Sequence, residues 1–156
     1  MNKAYPIFFS LCFLTGCTSV NVKKVDATKH PIKLVCIEEN PAVLVDDLIF
    51  VLESGFQRRG INTIMYQSKA PDRCEYTLWY TAFRAWDLVP YLRRVELRLR
   101  YGDDIIATAT YNHGGGFDLS KFAGTEEKLN PVMDELLSDF STNTRESTEI
   151  KSISSK

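Results

Sequence analysis

The stretch Tyr91–Tyr101, YLRRVELRLRY, alternates more strictly than any other part of this chain of 156 residues. Val95, Leu97, Leu99 and Tyr101 fall on one parity, and Arg94, Glu96, Arg98 and Arg100 on the other. Successive side chains of an extended strand point to opposite faces, so a period of two places each set on its own side. The pattern demands a half-buried strand, with one face on a hydrophobic core and the other in solvent. A covering layer is therefore needed on one side only.

The flanking sequence supplies the rest of such a fold. Glu75–Trp86 reads as a long strand with Tyr76, Leu78, Tyr80 and Ala82 on one face and Thr77, Trp79, Thr81 and Phe83 on the other. Asp87–Pro90 turns the chain, and Gly102-Asp103 is a hairpin signal leading into a return strand over 104–111. Upstream, Ile32–Ile37 and Ile61–Gln67 read as shorter strands. Between them Val45, Leu48, Ile49, Leu52 and Phe56 recur at helical spacing, and Gly60 stops the helix. A second helix is expected to start at Asn130 as cap and Pro131 as first residue, with a stripe of Leu129, Val132, Met133, Leu136, Leu137 and Phe140. The order β-α-β-β-β-β-α implies an α+β two-layer sandwich, a mostly antiparallel sheet of four to five strands with both helices on one face. The first strand, first helix and second strand form a right-handed crossover.

The beginning of the chain speaks to compartment. Met1-Asn2-Lys3 is basic, residues 4–14 are largely apolar, and Thr15-Gly16-Cys17 follows. That is the layout of a secretory signal peptide, and the run is shorter than the ~20 apolar residues of a membrane span. Leu14-Thr15-Gly16-Cys17 resembles the lipobox of bacterial lipoproteins. The resemblance implies removal of residues 1–16, diacylglycerol on the Cys17 thiol and an acylated new N-terminus, and several acyl chains make a stable anchor. Residue 18 is Thr18, and in that class the absence of an Asp at this position implies the outer membrane, facing the periplasm of a Gram-negative cell. Residues 17–30 are polar and read as the lipidated cysteine and a tether, 31–141 as the single domain, and 142–156, rich in Ser, Thr, Lys and Glu, as a disordered tail.

After loss of Cys12 and lipidation of Cys17, Cys36 and Cys74 remain. An oxidising compartment favours a disulfide between them, worth on the order of 4 kcal/mol in the loop-entropy picture. Two buried free thiols are the alternative, whereas a metal site would lack ligands. The bond requires Cα atoms within about 7 Å. The long strand is therefore expected beside the first and antiparallel to it, or else its leading loop folds over to reach Cys36. Loss of Lys3 takes the formal net charge only from −1 to −2, so no basic field points to nucleic acid.

Several separated blocks carry a family resemblance: VCIEENP at 35–41, YTLWYTAFRAWD at 76–87, YLRRVELRLR at 91–100 and GGGFDLSKFAGTEEKLNPVMDELL at 114–137. Together they resemble the Sbal family of uncharacterised proteobacterial lipoproteins across nearly the whole mature domain. The resemblance implies an envelope lipoprotein and very little about activity. At fold level the layout is similar to anticodon-binding-like envelope domains of lipoproteins that assist lipopolysaccharide assembly or curli secretion, which is likeness of fold and not of function.

One stretch invites a catalytic reading. His113-Gly114-Gly115-Gly116 is the kind of loop that supplies oxyanion-hole N–H groups in esterases. No G-x-S-x-G elbow accompanies it, and His30 and His113 are the only histidines. Glycines between a strand and a helix commonly serve backbone conformation alone. An anion-binding role for the loop with Lys121 is the remaining chemical alternative. The chain is expected to be no enzyme and to use no cofactor or metal. The stronger functional candidate is the uncovered sheet face, where Trp79 and Phe83 would lie beside Arg94, Arg98 and Arg100, a composition typical of interface centres. A protein of the envelope, or lipopolysaccharide phosphates met by arginine, is the expected partner.

Overall fold

In the computed structural model, which describes residues 18–114 and 119–141, the elements run β1 (Thr18–Lys23), β2 (Leu34–Glu38), α1 (Leu48–Gln57), β3 (Asn62–Tyr66), β4 (Tyr76–Asp87), β5 (Val89–Tyr101), β6 (Asp104–His113) and α2 (Thr125–Leu136), with a 3-10 turn at Leu119–Phe122. The expected signal peptide, Cys17, Gly115, Gly116 and the tail from residue 142 lie outside the described residues. The strands form one sheet in the order β1-β6-β5-β4-β2-β3. β1–β6, β6–β5 and β5–β4 are antiparallel, while β2 is parallel to both β3 and β4.

The alternating stretch forms the middle of this sheet. Leu78 lies opposite Leu99, Tyr80 opposite Leu97 and Ala82 opposite Val95, all buried and all on one face. Leu48, Leu52 and Phe56 of α1 and Leu129, Val132, Met133 and Leu136 of α2 join them in a single core, so both helices cover that face. Full burial of each Leu or Phe contributes about 1.5–3 kcal/mol. Among the described residues no helix is long and apolar enough to cross a membrane.

Three expectations need correction. The sheet has six strands where four to five were expected, because residues 18–23, read as tether, form β1 on the edge of β6. Val20 and Val22 supply a short alternation on the core side, and the next segment is anchored too. Val25 is fully buried, its N–H donates to the Leu136 carbonyl at 3.0 Å, and Lys24 meets Asp139 at 2.7 Å. Residues 18–25, read as part of the tether, are therefore packed into the sheet and core. Secondly, β4 does lie beside β2, but parallel to it. β3 occupies the outer edge, so residues 67–75 must return past β2 before β4 begins. The expected Cys36–Cys74 disulfide is present, reached by the leading loop of β4: Cys36 projects away from the helices, since Val35 and Ile37 point into the core. The Cys36–Cys74 disulfide, with Cα atoms 5.8 Å apart, thus draws the loop before β4 across the sheet face opposite the helices.

The third correction concerns α2, which starts at Thr125 and carries Pro131 in its interior. Pro131 removes one helical N–H, a loss that costs ~3 kcal/mol in an isolated helix. Tertiary contacts hold the first turns regardless. The Thr125 hydroxyl donates to Asp47 at 2.8 Å, the buried Lys128 ammonium donates to the Lys121 carbonyl at 2.5 Å, and Leu129 is fully buried. Glu126 and Glu127 complement the positive end of the helix. At its other end Arg59 donates to the carbonyls of Phe140 at 2.9 Å and Asp134 at 3.2 Å.

Two turns differ in kind. Gly102, at φ +56, opens the two-residue turn between β5 and β6, as the sequence suggests. The β4–β5 turn instead places Leu88 at φ +57, a left-handed conformation that costs a non-glycine residue about 1–2 kcal/mol.

Two outcomes test this architecture. A Cβ at Gly55 would lie 2.8 Å from Met133 Cε and 3.0 Å from its Cβ and Cγ. Alanine usually stabilises a helix interior, but here Gly55→Ala is expected to cost about 1–3 kcal/mol by overpacking, read as a lower urea midpoint at unchanged slope. Unfolded, unreduced protein should release no thiol from Cys36 or Cys74, and replacing both with serine should cost roughly 4 kcal/mol.

Candidate functional site

The sheet face turned away from α1 and α2 carries the charged parity of β5 and the polar parity of β4. Register sets the pairs directly: Thr77 opposite Arg100, Trp79 opposite Arg98, Thr81 opposite Glu96 and Phe83 opposite Arg94. On β6, Asn112 lies beside Arg94, Thr110 beside Glu96 and Thr108 beside Arg98. The five residues expected at a partner site, Trp79, Phe83, Arg94, Arg98 and Arg100, are therefore brought together on one surface.

The groups on this face organise one another. The Arg98 guanidinium lies 4.7 Å from the Trp79 ring centroid, a cation–π contact that also shields half of the indole. Glu96 sits between two arginines: it is ion-paired with Arg94 and lies 3.5 Å from Arg98. One carboxylate thus divides its charge between two guanidiniums, leaving the stripe net positive with Arg100 added. Arg100 is half-buried, and its Nε has no hydrogen-bond partner among the described residues. Burial raises the Tyr66 phenol above its ordinary range, the Glu38 carboxylate adds to that rise, and Arg100 opposes it. These three residues from β3, β2 and β5 therefore share one electrostatic neighbourhood. Phe83 remains 55% exposed and Arg94 and Arg98 are exposed beside it. The disulfide ties the loop before β4 to β2, and among the described residues Phe83, Arg94 and Arg98 on the β4–β5 part of the face are exposed.

The glycine-loop candidates are placed differently. His113, the last residue of β6, is fully buried on the helix side. Its Nδ1 is hydrogen-bonded to the Thr18 hydroxyl at 3.0 Å, and its ring meets Tyr91 edge-on at 5.8 Å. Lys121 is buried, ion-paired with Asp87, and lies 6.0 Å from the Tyr91 ring and 5.1 Å from that of Phe122. His113 and Lys121 thus both meet Tyr91, each engaged within the fold, while Gly114 follows the end of β6.

Sequence reasoning missed a cleft of ≈ 200 Å³ beside this cluster, lined by Asp47, Arg84, Tyr91, Lys121 and Thr125 among others. Its charges are mixed and partly spent on each other, Lys121 on Asp87 and Thr125 on Asp47. No local pattern could have revealed it, because the paired groups lie 34 and 78 residues apart. Among the described residues no group of three metal-ligating side chains occurs.

No protein-family model and no curated relative matches the chain. Among solved structures it is similar to a PelC dodecamer from Paraburkholderia phytofirmans, at TM-score 0.46 and 13% identity over 75% of this chain and 98% of that one. A single-site variant of that dodecamer gives TM-score 0.48 with the same identity and coverage.

The Trp79–Arg98 contact can be weighed directly. A double-mutant cycle with Trp79→Ala and Arg98→Ala is expected to return a coupling of about 0.5–1 kcal/mol from denaturant midpoints. A coupling near zero would mean that the stacked arrangement contributes nothing in solution.

Proposed function

We propose that this chain is a non-enzymatic lipoprotein of the bacterial envelope, anchored through Cys17 at the periplasmic side of the outer membrane, and that it binds a partner protein through the open face of β4, β5 and β6. The observation that carries this reading is the surface of Trp79, Phe83, Arg94 and Arg98, set by strand register on the face turned away from α1 and α2. Aromatic and arginine side chains dominate the energetic centres of protein interfaces. Here they are held in place before any partner arrives, by the stack on Trp79 and the shared Glu96 carboxylate, which lowers the ordering cost of association. The excess of arginine over carboxylate on this face suits an acidic partner surface.

Phe83 is the position from which to test it, because it is exposed and an aromatic photocrosslinker replaces it conservatively. In living cells, a photoreactive phenylalanine at position 83 is expected to yield a discrete crosslinked protein, identified by mass spectrometry, that disappears on Arg94→Glu with Arg98→Glu. Crosslinks to lipopolysaccharide alone would move the site to phosphate recognition by the same arginines. No crosslink, with the protein folded and acylated, would leave the face without a binding role.

A further inference from the structure

Strand register orients the domain relative to its first described residue. Thr18 lies opposite His113, Asn112 opposite Arg94 and Arg94 opposite Phe83. Thr18 therefore sits at the end of the sheet where β4 and β5 continue past Phe83 to their turn at Leu88. Leu88 lies four positions beyond Arg84, so the turn projects roughly 13 Å beyond the level of Thr18 at ~3.3 Å per residue.

That projecting end concentrates exposed apolar surface. Trp86 is 76% exposed, Leu88 84% and Val89 48%. The 3-10 turn packed on β5 adds Leu119 and Phe122, and the Lys121–Asp87 ion pair ties that turn to the tip. At the opposite end of the sheet, by contrast, the exposed Tyr101 is stacked against Tyr76 and His30. Leu88 adds a second observation. A large apolar side chain occupies a left-handed backbone position that glycine would take without steric cost, and strain retained in this way points to function. Arg84 and Arg93, both exposed, stand just behind the apolar tip.

β1 leaves no slack at this end. Its six residues are registered on β6, and the Thr18 hydroxyl is bonded to His113. Cys17 precedes Thr18 directly, so acyl chains on it draw this end of the sheet, and no other, against the bilayer.

We infer that the β4–β5 tip, through Trp86, Leu88 and Val89, inserts into the interfacial layer of an anionic phospholipid membrane, with Arg84 and Arg93 at the level of the headgroups. The inference rests on the reading of Cys17 as acylated. The overhang of the tip is of the order of the ~5–10 Å to which interfacial elements enter a bilayer, and tryptophan favours that depth. Insertion stands the sheet upright on the membrane and leaves the open face of β4–β6 accessible from the side.

The two tryptophans report on this separately. Full-length protein processed in cells is reconstituted into vesicles of phosphatidylethanolamine and phosphatidylglycerol carrying brominated acyl chains. A Trp79→Phe chain emits from Trp86 alone, and a Trp86→Phe chain from Trp79 alone. Trp86 emission is expected to fall about twofold or more relative to unbrominated vesicles, with Trp79 nearly unchanged, as befits a ring at the interface and one above it. Adding Leu88→Asp to the Trp79→Phe chain should restore Trp86 emission, because a carboxylate resists transfer out of water. Intact mass of the mature protein reads acylation independently. An acylated chain whose Trp86 is unquenched, or quenched no more than Trp79, overturns tip insertion and leaves the lipoprotein reading standing. A chain without acyl groups at Cys17 removes that reading and the insertion with it.

Discussion

Leu78, Tyr80 and Ala82 on β4 lie opposite Leu99, Leu97 and Val95 on β5, and this apolar strip cannot face water. Covering it decides most of the molecule. α1 and α2 must lie on that side, close enough that Gly55 has no room for a Cβ beside Met133. Once they do, the opposite parity of the same two strands is turned away from them, and among the described residues Phe83, Arg94 and Arg98 lie at the surface. Core and candidate interface are thus two consequences of one alternation.

The chain returns from β3 to β4 on the other side of the sheet, and this asymmetry shapes the open face. Because β2 to β3 crosses through α1 and β3 to β4 crosses through a loop, one connection covers each face. The disulfide fixes the second connection over β2, on the Cys36 side. What remains open is bounded: β4, β5 and β6, with β1 at the rim. A partner would meet a surface with one covered edge and an aromatic–arginine centre.

Positive charge on that surface is organised, whereas in the cleft near Tyr91 it is committed. Arg94 and Arg98 share Glu96 at the surface, where water screens the pairs and both guanidiniums remain reachable. Lys121 is buried and satisfied by Asp87 within the fold. The same residue classes therefore read as recognition in one place and as architecture in the other. The tip beyond them, apolar and with Leu88 in a left-handed conformation, belongs to neither set and lies at the Thr18 end of the sheet.

Much of this was legible without coordinates where the signal is local. The period of two over 91–101 set a strand and its two faces, the spacing of Leu48, Leu52 and Phe56 set α1, and Gly102 set a hairpin, because each depends on neighbours a few residues away. The cysteine pair and the grouping of Trp79, Phe83, Arg94, Arg98 and Arg100 followed from such patterns as well. Tertiary structure alone decided what depends on distant partners. β1 exists because β6 offers an edge 95 residues away, although its own sequence is polar enough to pass for a tether. α2 begins before Asn130 because Asp47 and the Lys121 carbonyl hold its first turns across an internal proline. β4 runs parallel to β2 because residues 67–75 carry the chain back past β2 before β4 starts. His113 and Lys121, which stand in the sequence like a ligand loop, turn inward because Thr18, Tyr91 and Asp87 meet them there. Periodicity records which side of an element is apolar; it carries no record of which distant group will satisfy a buried polar atom.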